Sequence, residues 1–468
     1  MALCRQANEV LNSLMSIAFT LPQRLRASFN GANTHRVLAL ALPAVGEQTL
    51  NMVVGLADIF MVGHLGAAAV TAVGLSNQAV MLVTTFFAAT ATGVTALVAR
   101  HIGAGEPERA NVITHQGYLL GAAFGLLTLA FGLSLSQPTM RTLQAPAEVI
   151  SDGATYLSIV ALTFPLAAWL FIGNAALRGS GDTRTPMLIM LVVNIVNIAV
   201  AYATIYGVGP LPALGVAGSA VGAAAGRGAG GLLVTALLFH GRSGLRLHPR
   251  RLLPDPTQIK RIANIGLPAG AEQLLMRGAQ TTFAATVATL GATAFAAHQI
   301  ALQVESLSYM PGFGFAMAAT TLVGQGLGAR DPARARADGR LSQWLAVAIM
   351  SCMGGIFFLF PAQIIGVFIN DPEVVRLGIW PLRLVAFSQP VLATSMVLGG
   401  ALRGAGDTRT TLFITGGGLW IVRLPLAWLL VPRFGLVGAW IAMIMDLNVR
   451  GTLAWLRFRG NHWTRLKV

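Results

Sequence analysis

Two acidic residues, Glu47 and Asp58, stand inside an otherwise apolar stretch, "LPAVGEQTLNMVVGLADIFMVGHLG" (42–66), with Asn51 between them. On an α-helix, Asn51 and Asp58 fall about 40° and about 20° round from Glu47, so the three share one stripe. The carboxylates lie about 16 Å apart along the axis and are stacked at two depths rather than paired. Ionisable groups in apolar surroundings are expensive and serve an ion pathway, a proton relay or a counter-ion pair. Asp58 therefore reads either as a carboxylate whose ion or proton occupancy is tied to the shape of the protein, or as a solvated group near a helix end.

Other polar residues in apolar runs invite the same two readings. Asn194 and Asn197 lie on one helical face, spaced for ion contact or for interhelical hydrogen bonds. His298, Glu305 and Tyr309 fall at 0°, about 340° and about 20° on another helix. With Glu272 on the preceding run they form a possible second polar cluster, able to relay protons or simply to bond neighbouring helices. Arg227, Arg277 and Arg423 are also embedded, and Asp446 and Arg450 are spaced i, i+4. Arg423 with Asp446 or Glu272 reads as a structural ion pair, and Arg277 could neutralise Glu272. The two cysteines, Cys4 and Cys352, are too few and too separated for a disulfide framework or a metal site, and no metal is assigned. No phosphate-binding glycine loop is present, so neither a nucleotide nor any other cofactor is expected.

The elements that must hold these groups are membrane spans. Of 468 residues, 55% are hydrophobic and only 10% charged, too little charge to cover a soluble protein of this length. Apolar runs of about 20 residues, each long enough to cross a bilayer, recur from Val37 onward. The fold class is an all-α polytopic membrane protein. The net charge of +15 does not indicate nucleic acid, because the basic residues cluster in alternate short connections between the apolar runs.

The chain is also an internal duplication. "ALRGSGDTRT" (176–185) returns as "ALRGAGDTRT" (401–410), and the same 225-residue shift carries Glu47-Gln48 onto Glu272-Gln273, "GAGEPERA" (103–110) onto "GARDPARA" (328–335) and Pro165 onto Pro390. The shift carries Asp58 onto Phe283, so that carboxylate was not duplicated. Each half reads as six spans, and twelve transmembrane helices in two pseudo-symmetric six-helix lobes follow. The divisions are a leader (1–36), a first lobe (37–241), a basic linker (242–259) and a second lobe with a short tail (260–468). An even span count per half gives the halves one orientation, the arrangement of many secondary transporters whose substrates sit between them. About 25 of the 32 basic residues fall on the side of both termini, which is therefore expected to be cytoplasmic, with the chain in the plasma or inner membrane. In the repeated decapeptide the glycines suit tight turns, Asp182 and Asp407 can cap the next helix, and Arg178, Arg184, Arg403 and Arg409 would anchor the loop at lipid head groups.

With these residues in view, the sequence resembles the multidrug and toxic compound extrusion (MATE) family. The segments that carry the likeness are 42–66, the decapeptide and its twin, "AAHQIALQVESLSYMPGFGFAMAATTLVGQGLGA" (296–329) and "LGVAGSAVG" (214–222). The resemblance implies a secondary transporter that exports amphiphilic, often cationic, organic compounds in exchange for H⁺ or Na⁺ by alternating access. The partners would be the small-molecule substrate and the bilayer, and one chain, holding both lobes, would suffice as a monomer. It further implies that Asp58 and Asn197 match the family's first-lobe cation site, with Asn194 and Glu47 completing its polar surroundings. A second family Asp is replaced by Ala201, and Ala223 stands near the place of a span 6 hydroxyl. A Na⁺ ion needs several oxygens, so this pocket suits H⁺ better. The span 7 Glu of another branch is Met276 here, which puts the chain nearer the branch with the first-lobe Asp. A flippase or exporter of lipid-linked saccharides or lipids is the nearest rival, and an intramembrane enzyme a more distant one.

Overall fold

The computed structural model describes residues 31–209, 212–248 and 253–466, and these are helical almost throughout. The first half runs through α1 (Gly31–Gly63), α2 (Ala67–Gly103), α3 (Pro107–Ser134), the short α4 (Ser136–Thr142), α5 (Ala147–Ala161), α6 (Phe164–Ser180), α7 (Arg184–Tyr206) and α8 (Val216–His240). The second half contains α9 (Pro256–Ala288), α10 (Ala292–Gly328), α11 (Pro332–Leu359), the short α12 (Pro361–Gly366), α13 (Pro372–Gly404) and α14 (Thr408–Gly417). From α14 a π-helical turn (Gly418–Arg423) leads into α15 (Leu424–Arg459). Helices α9, α11 and α13 begin alike, with Asp255, Asp331 or Asp371 accepting first-turn amides and a proline in the first helical turn. Residues 31–36, read as part of the leader, already belong to α1, and residues 1–30 lie outside the described residues.

By length and apolarity alone eight helices qualify as spans, and α5 with α6 forms a ninth that is bent by 55°. The 52-residue stretch Thr408–Arg459 counts once in that total. At 1.5 Å per residue it is more than twice the bilayer's thickness, and it folds at Gly435, where φ is 57°. It therefore supplies two spans. Helices α9 and α10 are long enough, but Lys260, Arg261, Glu272, Arg277, His298 and Glu305 dilute their apolarity. The polar groups that make them interesting hide them from a hydropathy scale, and with them the spans among the described residues number twelve.

The duplication is visible in the packing between the halves. A methyl at Gly314 would strike the Ala41 carbonyl, and one at Gly266 would strike the carbonyl of Ala89; each pair becomes the other under the 225-residue shift. Likewise Gly103 lies against the Gln325 carbonyl and Gly328 against that of Arg100. Glycine allows two helix backbones this approach, as small residues do at membrane helix interfaces. Hydrogen bonds from the Thr321 hydroxyl to the Arg178 carbonyl (2.9 Å) and from the Gln325 amide to the Gly179 carbonyl (3.2 Å) complete the seam. Arg36 of α1 meets Asp338 of α11 at 2.7 Å beside it. These contacts sit in the halves of α1, α2, α9, α10 and α11, and at the end of α6, that lie towards the basic connections.

Within the first half, α7 and α8 pack through glycines one turn apart. Gly218, Gly222 and Gly226 lie against Thr204, Ala201 and Asn197 respectively. The segment after α8 is strapped to α3, with the Arg246, His248 and Asp255 amides donating to Asn111, His115 and Gln116.

Candidate functional site

Two ion pairs, one per half, repeat under the shift. Arg178, at the end of α6, donates to Glu47 of α1 at 2.9 Å, and Arg403, at the end of α13, donates to Glu272 of α9 at 3.2 Å. Two of the four arginines of the decapeptides therefore do not reach out to lipid head groups: Arg178 and Arg403 fold back into the lobes to a buried carboxylate, whereas Arg184 and Arg409 are exposed. Gly181 (φ 97°) and Gly406 (φ 86°) make the left-handed turns that follow. Asp182 accepts from the amide and hydroxyl of Thr185, as a cap should. Asp407 instead accepts from the Thr410 hydroxyl and from Arg457.

This geometry corrects two groupings. Glu47 belongs to the clasp with Arg178 and not to the surroundings of Asp58, because three turns of helix separate the two acids. Glu272 does not join His298, Glu305 and Tyr309: besides Arg403 it accepts from the Thr411 and Thr415 hydroxyls, both at 2.9 Å. Arg277 is exposed and is not its partner. Asn51 is exposed too and turns to Gln48.

Asp58 stands near the C-terminal end of α1 and is half-buried, where Glu47 is buried. One carboxylate oxygen is buried without a hydrogen-bond partner, and the amide of Asn197 on α7 faces the group. Arg227 of α8 is the cation that acts on it, and Tyr156 of α5 lies within the fields of both charges while its hydroxyl donates to Asn77 of α2 (3.4 Å). No ion pair within 4.0 Å joins Asp58 to a base among the described residues, and an Arg227 nitrogen is likewise buried and unpartnered. Asn194 performs the plainer task, donating to the Leu50 carbonyl of α1 at 2.7 Å and tying α7 to α1 beside the site. Ala201 and Ala223, which stand where oxygens would help a metal ion, are both buried.

Arg227 and Tyr156 are the members that sequence reasoning missed. A signal for Arg227 existed: Ser219, Ala223 and Arg227 follow at i, i+4 and i+8, so the face of α8 already assigned to the site carries the guanidinium one turn on.

The second lobe groups its polar residues elsewhere. Asp446, wholly buried, accepts from Arg423 (2.8 Å) and Arg450 (2.8 Å) at once, the structural ion pair expected for Arg423 with a third member added. Arg423 also lies 5.5 Å from the ring of Phe283, the residue that replaces Asp58 in the duplication. His298 is enclosed edge-on by Phe283 and Trp440, each 5.7 Å away, and neither ring nitrogen has a partner. Its buried setting is aromatic, so it is not hydrogen-bonded to Glu305. No group of three or more His, Cys, Asp or Glu side chains placed to hold a metal occurs among the described residues.

The MatE family model matches this chain twice, over residues 43–203 and 268–429, once in each half. A probable multidrug resistance protein NorM of Thermotoga maritima is 34% identical over 438 residues, covering 92% of this chain and 93% of its own length. The multidrug resistance protein PmpM of Pseudomonas aeruginosa is 28% identical, covering 89% of each chain. Among solved structures, the fold superposes on a MOP superfamily transporter from Pyrococcus furiosus with a TM-score of 0.85 at 22% identity, over 91% of this chain and 95% of that one. The Vibrio cholerae MATE transporter VcmN, solved as a point mutant, gives the same score at 21% identity, over 92% and 97%. A family match that recurs in register with the duplication, and relatives aligned over most of both chains, leave one conclusion: the chain belongs to the MatE family of membrane transporters.

Proposed function

We propose that this protein exports amphiphilic, often cationic, compounds across the cell membrane by antiport with protons, and that Asp58 is the coupling carboxylate. The observation that carries the reading is the setting of Asp58: a single embedded carboxylate, half-buried, with an orphaned oxygen, an amide at its side and a guanidinium nearby but unpaired with it. Arg227 also favours H⁺ over Na⁺. A site that already contains a fixed positive charge and lacks oxygens at Ala201 and Ala223 repels a metal ion, whereas a proton needs one carboxylate oxygen and leaves as readily. The reading places the chain nearer the branch of the family with a first-lobe Asp.

The seam between the lobes supports alternating access. Interhelical backbone contacts across it cluster at the basic end, which we take to be cytoplasmic along with both termini. The form described is then sealed inward, and proton entry to Asp58 from the opposite side would favour release of substrate. Deprotonation after the lobes rock would reset the carrier, and a single chain carries both lobes and would act as a monomer.

The test is drug movement in proteoliposomes with pH and Na⁺ gradients imposed one at a time. A pH gradient alone should drive transport and a Na⁺ gradient alone should not. Drive by Na⁺ alone would transfer the site to a metal ion, and uptake of labelled lipid-linked saccharide in place of drug would favour the flippase reading.

A further inference from the structure

The centre of the second lobe contains a group of buried polar side chains that no contact described so far satisfies. Glu305 of α10 is 0% exposed and neither carboxyl oxygen has a hydrogen-bond partner. Gln389 of α13 is also 0% exposed, with both amide atoms unpartnered. The two helices run parallel in a register that fixes where these residues meet. Gly312 lies against Met396, Ala316 against Gly400 and Thr320 against Gly404, an offset of 84 in each case. The same offset carries residue 305 to residue 389, so the carboxyl and the amide stand at one depth on facing helices.

We propose that Glu305 is a second proton-binding site of the transporter, with the Gln389 carbonyl as acceptor for the carboxyl proton. Two opposed influences act on the group. Burial favours the neutral acid, since a buried carboxylate approached by a single hydroxyl, that of Tyr309, is poorly compensated. Arg423 and Arg450 of α15, set against the single carboxylate of Asp446, leave one positive charge in excess, and an ionised Glu305 cancels it. That excess charge also excludes a metal cation, so the ligand is the proton. The other titratable groups facing the site are Tyr309, whose hydroxyl approaches Glu305 one turn along α10, and His298, which lies under the field of Arg423 two turns back.

The position suits coupling. Pro311, between Glu305 and the lobe seam at Gly314, withholds the amide that the Leu307 carbonyl would otherwise accept, leaving α10 free to flex there. A change of charge at Glu305 is thus transmitted along the helix that seals the lobes together. The inference does not depend on Asp58: the two carboxyls lie in different lobes at positions the duplication does not relate.

The experiment uses the full chain in lipid nanodiscs, with carboxyl protonation followed by infrared difference spectroscopy as pH is changed and proton release on drug binding followed with a pH dye. The wild type should show two protonatable buried carboxyls. Asp58→Asn should remove one band and Glu305→Gln the other, with proton release falling by about half in each case. Gln389→Leu, which keeps the carboxyl but removes its acceptor, should shift the Glu305 band and leave that of Asp58 unmoved. A Glu305→Gln protein with the wild-type spectrum and proton release would overturn the proposal. Should that variant fail to fold, a Gln389→Leu protein with neither band moved would overturn it equally. A wild type whose only titrating band is the one Asp58→Asn removes would overturn this inference and keep the first-lobe reading. One whose only band is the one Glu305→Gln removes would do the reverse.

Discussion

The two lobes descend from one six-helix unit, and what each kept separates scaffold from specialised chemistry. Both retain the clasp, Glu47 with Arg178 and Glu272 with Arg403, and both retain the hydroxyl that holds α2 to α6 or α10 to α13: Thr95 to the Ala175 carbonyl at 3.0 Å, Thr320 to that of Gly400 at 2.8 Å. The seam glycines recur as well. The embedded charges do not. Asp58 became Phe283, and Arg227 has no basic counterpart, while Asp446, Arg423, Arg450 and Glu305 occupy places where the first lobe is apolar or glycine. The prolines diverge too: Pro165 follows a 55° break between α5 and α6, whereas Pro390 lies inside an unbroken α13. Packing that closes a lobe is symmetric; chemistry that works it is not.

Breaking the asymmetric part should cost most. Asp446→Ala strands two buried guanidiniums, and loss of one partner of a buried ion pair typically costs about 3–5 kcal/mol. Thermal unfolding in detergent should show a large fall for this variant, and a variant as stable as wild type would mean that the Arg423–Asp446–Arg450 group does not hold the second lobe together.

The clasps should rank next, and unequally. Glu272 accepts three hydrogen bonds and Glu47 one, with its second oxygen unpartnered. Hydrogen bonds to charged groups contribute about 1.5–3 kcal/mol each. Glu272→Ala should therefore lower the melting temperature more than Glu47→Ala, and equal or reversed losses would show that the clasps are not graded by their bonds.

The seam offers a matched pair. Gly103→Val and Gly328→Val each force a side chain into a facing carbonyl, and such overpacking costs about 1–3 kcal/mol. Spin-label distances across the lobes should show both variants shifted by similar amounts towards the form open at the basic end. A shift in one variant alone would mean that only half of the duplicated seam seals the molecule.

The smallest effect is expected at Asp182 in the loop between α6 and α7. Partial burial pushes its carboxyl up, but hydrogen bonds from Ser243 and Thr185 and the nearby Arg242 outweigh it and hold the group below the ordinary 3.8. A depressed carboxyl stabilises the fold above its unfolded value, and the contribution is lost as pH falls through the folded one. Asp182→Asn should lower the melting temperature slightly at neutral pH, with the difference closing only in acid below that ordinary value. A difference independent of pH would assign the effect to packing.

The fold was legible because its signals are long and repeated. Recurrent apolar runs, a 225-residue shift that supplies the two spans hydropathy alone misses, and a charge-biased set of loops determine spans and lobes with little competition. The pairing of Arg423 with Asp446 was legible too, since a charge in an apolar run must find company. The partners of Glu47 and Glu272 were not. Helical angles place both acids on the stripe of their neighbours, but they say nothing of a guanidinium arriving from the end of another span more than 100 residues away. Arg178 and Arg403 also sit at helix ends, where an arginine ordinarily turns to head groups, and only the tertiary arrangement that brings those ends within reach of Glu47 and Glu272 reverses that preference.

The most direct test of the account is Asp58→Asn in proteoliposomes, with drug transport under a pH gradient measured beside drug exchange without one. Protonation-driven coupling through this carboxyl predicts that gradient-driven transport is lost while exchange persists, because the variant holds the site permanently in its neutral form. Gradient-driven transport at the wild-type rate in a correctly inserted Asp58→Asn protein would contradict it.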